Sequence, residues 1–169
     1  SHRCMNKCTR NFYEESVLIR GTKLTAAENG YAQLMEKLDT PVASSDKNGN
    51  PSLNSNYGAK ELDLFAPGMD IYSSYMGDTY QTGSGAGLSS ATVAGVAALV
   101  KAYYPNLTGS QIRNILLKTV TSRKGVEVEK GIIVNNKQTQ DLFLFEDLCL
   151  SGGILNAYQA IMAADKLTK

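Results

Sequence analysis

Apolar residues in this chain fall into short clusters separated by turn formers, and the period of the clusters changes along the sequence. Residues 1–15 are polar and predict a loosely held tail. Ser16-Val17-Leu18-Ile19-Arg20 is a compact apolar run before Gly21, the pattern of a buried strand. Thr25 and Glu28 have capping-box spacing, and Tyr31, Leu34, Met35 and Leu38 recur at helical intervals, so local physics favours an amphipathic helix over about 26–38. The run 46–51 is dense in turn formers and predicts an exposed connection. Leu62, Leu64 and Ala66 alternate with charged or bulky neighbours and predict a strand ending at Pro67-Gly68. A second strand over Ile71–Tyr75 is interrupted at Met76-Gly77-Asp78.

From Leu88 to Tyr103 the chain is apolar on nearly every side and rich in Ala and Gly, which predicts a helix packed all round by other elements. Thr108 and Gln111 form a second capping box, opening a helix whose Ile112, Ile115, Leu116 and Val120 face the core. Val126-Glu127-Val128 and Ile132-Ile133-Val134 flank Lys130-Gly131 as a hairpin would, and Leu142 to Phe145 predict another short strand. Ile154, Tyr158, Ile161 and Met162 give a final amphipathic helix. The expected class is α/β: a mostly parallel sheet flanked by helices in one domain over 1–169, with a small β insertion at 122–147.

Composition narrows the function more than the fold. Seventeen basic against 16 acidic residues leave a net charge of +1, which gives no reason to expect nucleic acid or an anionic membrane as partner. Arg3, Lys7 and Arg10 make the start locally basic, as a solvated end would be. Three cysteines, Cys4, Cys8 and Cys149, contain no C-x-x-C pair, and His2 is the one histidine, so neither metal nor cofactor is expected. No apolar run approaches the ~20 residues of a membrane span, and no signal peptide opens the sequence. Glycines at 83, 85 and 87 before a helix suggest a phosphate cradle. The dinucleotide fingerprint fails, because it needs Gly at Leu88 or Ser90 and an acid beyond, and none occurs between Asp78 and Glu127. Asn106-Leu107-Thr108 is a glycosylation sequon better explained as the lead-in and cap of the next helix. Lys101, Arg113, Lys118, Arg123 and Lys124 read as scattered helix-surface charges serving solubility.

Gly85-Ala86-Gly87-Leu88-Ser89-Ser90-Ala91-Thr92-Val93-Ala94-Gly95 resembles, without a gap, the G-T-S-M-A-x-P-x-V-A-G block of subtilisin-like serine proteases. Other segments are similar to family motifs in the family's order: Val42-Ala43-Ser44-Ser45-Asp46, Asn56-Tyr57-Gly58, Leu62 to Gly68, Pro105 to Arg113, and Gly152 to Ala157. The resemblance runs from about 42 to 167 and implies the C-terminal half of a subtilase domain, a partial subtilisin-like fold, and a secreted or periplasmic location. It also implies serine endopeptidase ancestry. It makes Ala26 to Gly30 a degraded A-A-G-N-x-G loop, with Asn29 as a candidate oxyanion donor, in competition with the helix that local physics favours there.

The same resemblance places the catalytic serine on Gly87, which keeps the backbone amide and lacks the nucleophilic oxygen. In a Ser-His-Asp triad that oxygen is deprotonated by His, and removing the serine costs about a millionfold in kcat. Ser89 is two residues on, about 200° around the helix from Gly87, so it does not substitute. Ser90 matches a small position that the family also fills with Ser, where packing is its expected role. In the family the Asp and His precede the nucleophile, yet no H-G-T-like segment occurs and Asp46, Asp63, Asp70 and Asp78 fall in segments that match later parts of the family. Ala86 and Ala91 also replace the family's Thr and Pro. The expected protein is therefore a catalytically silent subtilase relative, a pseudoenzyme. Its alternative is a non-catalytic module that binds a peptide or protein ligand, self-associates, or takes an N-terminal partner segment against an uncovered sheet edge.

Overall fold

A computed structural model describes residues 40–168 apart from Asn54, Asn135 and Asn136. The expected tail over 1–15, strand over 16–20, helix or loop over 26–38, and Asn29 lie outside the described residues. β1 (Val42–Ser45), β2 (Leu64–Pro67), β3 (Ile71–Tyr75) and β4 (Thr79–Gly83) lead into α1 (Ala86–Tyr103) and α2 (Gly109–Lys118). β5 (Thr121–Ser122), β6 (Glu127–Val134), β7 (Lys137–Leu144), β8 (Gly153–Ile154) and α3 (Ala157–Thr168) follow. One sheet has the order β1-β2-β8-β5. β1 runs parallel to β2, with Val42 opposite Leu64, and β2 runs parallel to β8 at Phe65 and Ile154. β5 closes the sheet antiparallel to β8. The α/β class and the mostly parallel sheet are as the sequence predicts.

β2 is buried on both faces, which corrects the alternating pattern read there. Leu64 and Ala66 pack with Val93, Ala97, Val100, Ile112, Ile115, Leu116, Ala160 and Ala164 on the helical side. Phe65 points the other way, with Ala43 and Leu62, onto Val128, Phe145, Leu148 and Cys149. Strands carrying cover on both faces read as continuous apolar runs. Asp63, one residue before β2, is buried as well because the Arg113 guanidinium grips it with Nε at 3.1 Å and Nη2 at 2.7 Å from its two oxygens. Arg113 and Lys101 are thus structural cations rather than loose surface charges. Lys101 Nζ donates to the carbonyls of Pro105 and Leu107, both at 2.7 Å, and fastens the end of α1 to the turn after it.

α1 departs from the all-round packing expected of it. Ser89, Val93, Ala97 and Val100 form its buried stripe against β1, β2, α2 and α3. Gly87, Ser90, Ala91, Ala94, Gly95, Ala98, Leu99 and Tyr103 are exposed on the other side. Ala and Gly fit a close-packed helix equally on any face, so composition alone does not reveal which face the fold covers. At 18 residues and mean hydropathy 1.3, α1 also meets the length and composition of a membrane crossing, although no apolar run in the sequence predicts one. Its buried stripe belongs instead to the core of this folded unit.

α2 opens on the predicted capping box, with Thr108 Oγ1 accepting from the Gln111 amide at 3.3 Å and Gln111 Oε1 accepting from the Thr108 amide at 2.7 Å. The insertion differs from its predicted form. β6 runs unbroken through Lys130-Gly131 and pairs with β7 along its whole length, Lys130 opposite Asp141 and Gly131 opposite Gln140. Lys130 is fully buried, donates to the carbonyls of Ser52 and Leu53 at 2.6 Å each, and lies 5.4 Å from the centre of the Tyr57 ring. Burial lowers its pKa. A buried cation satisfied by carbonyls, not a turn, explains a Lys-Gly pair amid apolar residues. In α3 the core face is Ala160 and Ala164 with half-buried Ile161 packed beside them as predicted, whereas Tyr158 and Met162 are exposed; Ile154 belongs to β8. The small residues let α3 lie close to its neighbours, and the larger apolar side chains misled the periodicity.

Candidate active site

The segment from Gly83 to Gly87 joins β4 to α1, and backbone hydrogen bonds fix it to the end of the parallel sheet. Ser45 O accepts from the Gly68 amide at 3.0 Å, Gly68 O from the Gly85 amide at 2.7 Å, and Gly85 O from the Leu88 amide at 3.1 Å. This ladder runs from β1 through Pro67-Gly68 to the first turn of α1. Two glycines are required by it. Gly85 caps the helix at φ 155° and ψ 161°, a region essentially closed to residues with a Cβ. A Cβ at Gly68 would meet Ser89 Oγ, Ser44 Oγ and Gly85 O, the last two at 2.7 and 2.8 Å.

Side chains complete the attachment. Ser89 Oγ donates to Ala66 O at 3.0 Å, and Thr92 Oγ1 lies 3.3 Å from Pro67 O and 3.0 Å from Leu88 O. The Ala66-Pro67-Gly68 turn and the first two turns of α1 therefore form one rigid piece. Sequence reading placed Ser89 away from the Gly87 direction; the structure turns it fully inward. Ser90 is exposed, so the packing role expected of it is not the one it plays. The hydroxyl of Ser84 accepts from the Asp70 amide at 2.9 Å and ties the loop to the base of the β3–β4 hairpin.

Gly87 itself is exposed in the first turn of α1, and among the described residues nothing beyond its chain neighbours and its own helix backbone lies within 4 Å of the place a Cβ would take. Amides of a first helical turn lack intrahelical acceptors and present partial positive charge, here with no acidic residue in that turn to offset it. The position so built can direct an amide at a developing oxyanion but holds no group that can attack a carbonyl. Asp63, the buried carboxylate nearest in sequence before the loop, is engaged with Arg113. No group of three or more His, Cys, Asp or Glu positioned for a metal occurs among the described residues. Sequence reasoning missed the Asp63–Arg113 clamp, although an Asp directly before a buried strand and an Arg on a core-facing helix were both legible. Asn29 lies outside the described residues.

A profile described as the subtilase family matches residues 26–140, starting earlier and ending sooner than the span read from motifs. Subtilisin DY of Bacillus licheniformis is 43% identical over 81 residues, covering 48% of this chain and 29% of its own length. Subtilisin Savinase of Lederbergia lenta is 40% identical over 94 residues, 56% of this chain and 35% of its own. Among solved structures, a protease of Pseudoalteromonas arctica superposes with a TM-score of 0.55 at 29% identity, over 74% of this chain and 35% of that one. The A-subunit of the AB5 toxin from E. coli shares the fold, with a TM-score of 0.54 at 24% identity over 74% of this chain and 37% of that one. The chain thus spans about a third of the length of the relatives it matches.

Proposed function

The chain belongs to the subtilase family of serine proteases, and from that premise we propose that it is a catalytically silent member segment, a pseudoprotease that keeps the platform of the nucleophile and lacks the chemistry. One observation carries this reading. The helix start, its cap and its anchors to Ala66-Pro67-Gly68 are intact, while the residue at the nucleophile position is Gly87, facing open space. The neighbouring hydroxyls do not replace it, since Ser89 is bonded inward and Ser84 serves the hairpin base. The one histidine of this sequence, His2, lies outside every matched motif, so the chain as given carries no residue matched to the general base. Asn29 is the oxyanion donor that the resemblance suggests, in competition with the helix read over 26–38.

A chromogenic peptide assay on the chain and on Gly87→Ser tests this. The open space at Gly87 admits the serine side chain, and neither protein is expected to turn over substrate above buffer, because a serine without its base remains a weak nucleophile. Turnover by either protein contradicts the reading.

A second reading, of an assembly or peptide-binding module, is favoured by the exposed side of α1, where Leu99 and Tyr103 are 43% and 70% accessible beside open Gly95. An apolar helix face in water favours association. Light scattering that finds only 18.2 kDa monomers at high concentration counts against assembly.

A further inference from the structure

The hairpin that delivers the chain into the Gly83–Gly87 loop carries an aromatic face in water. β3 and β4 pair Tyr72 with Thr82 and Ser74 with Tyr80, which puts these four residues on one face. Tyr72 and Tyr80 stack diagonally across it, centroids 5.7 Å apart and planes 25° from parallel, although they are 70% and 65% exposed. Tyr75 and Met76 near the tip are exposed as well, Tyr75 on the opposite face. Paired rings in this arrangement are already ordered, so a ligand that covers them costs little further side-chain entropy.

Charge on the same segment has one sign. No Lys, Arg or His occurs between Lys60 and Lys101, and the hairpin region carries only Asp70 at its base and Asp78 at its tip. Both hold positive φ, 55° and 57°, which fixes them at the two reversals of the chain. Neither carboxylate is engaged in a hydrogen bond or ion pair among the described residues. Aromatic ring faces attract cations, and two carboxylates flanking a stacked pair reinforce the preference. An anionic partner would meet repulsion at both ends, and a neutral apolar one would leave both carboxylates beside a covered surface.

We propose that the β3–β4 hairpin binds a cationic segment of extended polypeptide, its Lys or Arg side chains lying on the faces of Tyr72 and Tyr80 and against Asp70 and Asp78. The base of the hairpin reaches the vacated site through the Asp70–Ser84 hydrogen bond, so such a segment runs alongside Gly87. At ~3.4 Å per residue the five-residue strands span about 14 Å, which matches basic residues about four apart in the ligand. This binding does not depend on the catalytic silence of the chain, since neither the two tyrosines nor the two carboxylates belong to the Gly83–Gly87 segment.

Fluorescence anisotropy with a labelled Arg-Ala repeat peptide and its Glu-Ala counterpart decides the matter. The chain is expected to bind the Arg peptide, to ignore the Glu peptide, and to lose affinity as salt is raised. Tyr72→Ser with Tyr80→Ser, and separately Asp70→Asn with Asp78→Asn, are each expected to weaken binding at least ~fivefold. Tyr72→Phe with Tyr80→Phe keeps the rings and retains binding. Thermal melting checks that the variants fold. The proposal is overturned by equal binding of both peptides, by binding of neither, or by folded Tyr→Ser variants that bind unchanged. Self-association abolished by Tyr72→Ser, with no peptide binding, also overturns it and assigns the face to a second copy.

Discussion

Gly68 and Gly87 lie on either side of the β3–β4 hairpin, linked through the hydrogen bond from the Gly85 amide to Gly68 O, and have opposite surroundings. Adding a methyl group at Gly68 drives it into Ser89 Oγ, Ser44 Oγ and Gly85 O, so Gly68→Ala is expected to lower stability by at least ~2 kcal/mol. At Gly87 the methyl group meets nothing, and Gly87→Ala is expected to raise stability by up to ~1 kcal/mol through helix propensity. Urea titration of the two variants reads both signs. Asp46 offers a pH test at the same scale. Burial opposes its ionisation, but the amides of Asn50 and Asn48 and the Asn50 side chain donate to its carboxylate and together hold its pKa below 3.8. A carboxylate held below its unfolded pKa stabilises above that pKa, and the contribution disappears as pH falls through the folded value. The gap in thermal stability between the chain and Asp46→Ala should therefore be constant at neutral pH and shrink once the pH drops below 3.8. Single residues were legible in the sequence where helix geometry fixed them, as at Ser89, about 200° around α1 from Gly87. Ser90 was not, because its exposure depends on which face of α1 is covered.

Among elements, α2 was readable from its capping box and apolar spacing because both are local signals. The β insertion was read as several pieces because Lys130-Gly131 looks like a turn, and only the remote carbonyls of Ser52 and Leu53 show that the lysine is satisfied inside a strand. In α3 Ile161 packs on the core as its spacing predicts, but the fully buried contacts are Ala160 and Ala164, which leave no strong periodic mark. The join between α2 and the lead into β2 rests on Arg113 and Asp63, side chains 30% and 7% accessible. Arg113→Met removes the partner of a buried carboxylate and should cost about 2–3 kcal/mol, less than a wholly buried pair because the guanidinium is part-solvated. Adding Asp63→Leu should recover much of the loss, since no unpaired charge then remains. A double-mutant cycle by urea denaturation measures this, and additive losses would contradict it.

At the scale of the molecule, several ordered motifs gave the α/β fold and the family, whereas the burial of each face of α1 could not come from them. The motifs record which residues meet β2 and the Gly83–Gly87 loop, and the side of α1 away from that sheet carries the same small residues whether or not anything covers it. The proposed function rests on an anchored helix start that carries Gly87 where the family motif has serine. Incubation of the 169-residue chain with a fluorophosphonate probe, read by intact mass, tests it most directly. An unchanged mass is the predicted result. A stoichiometric adduct mapped to any serine of the Gly83 to Ser90 segment would contradict it.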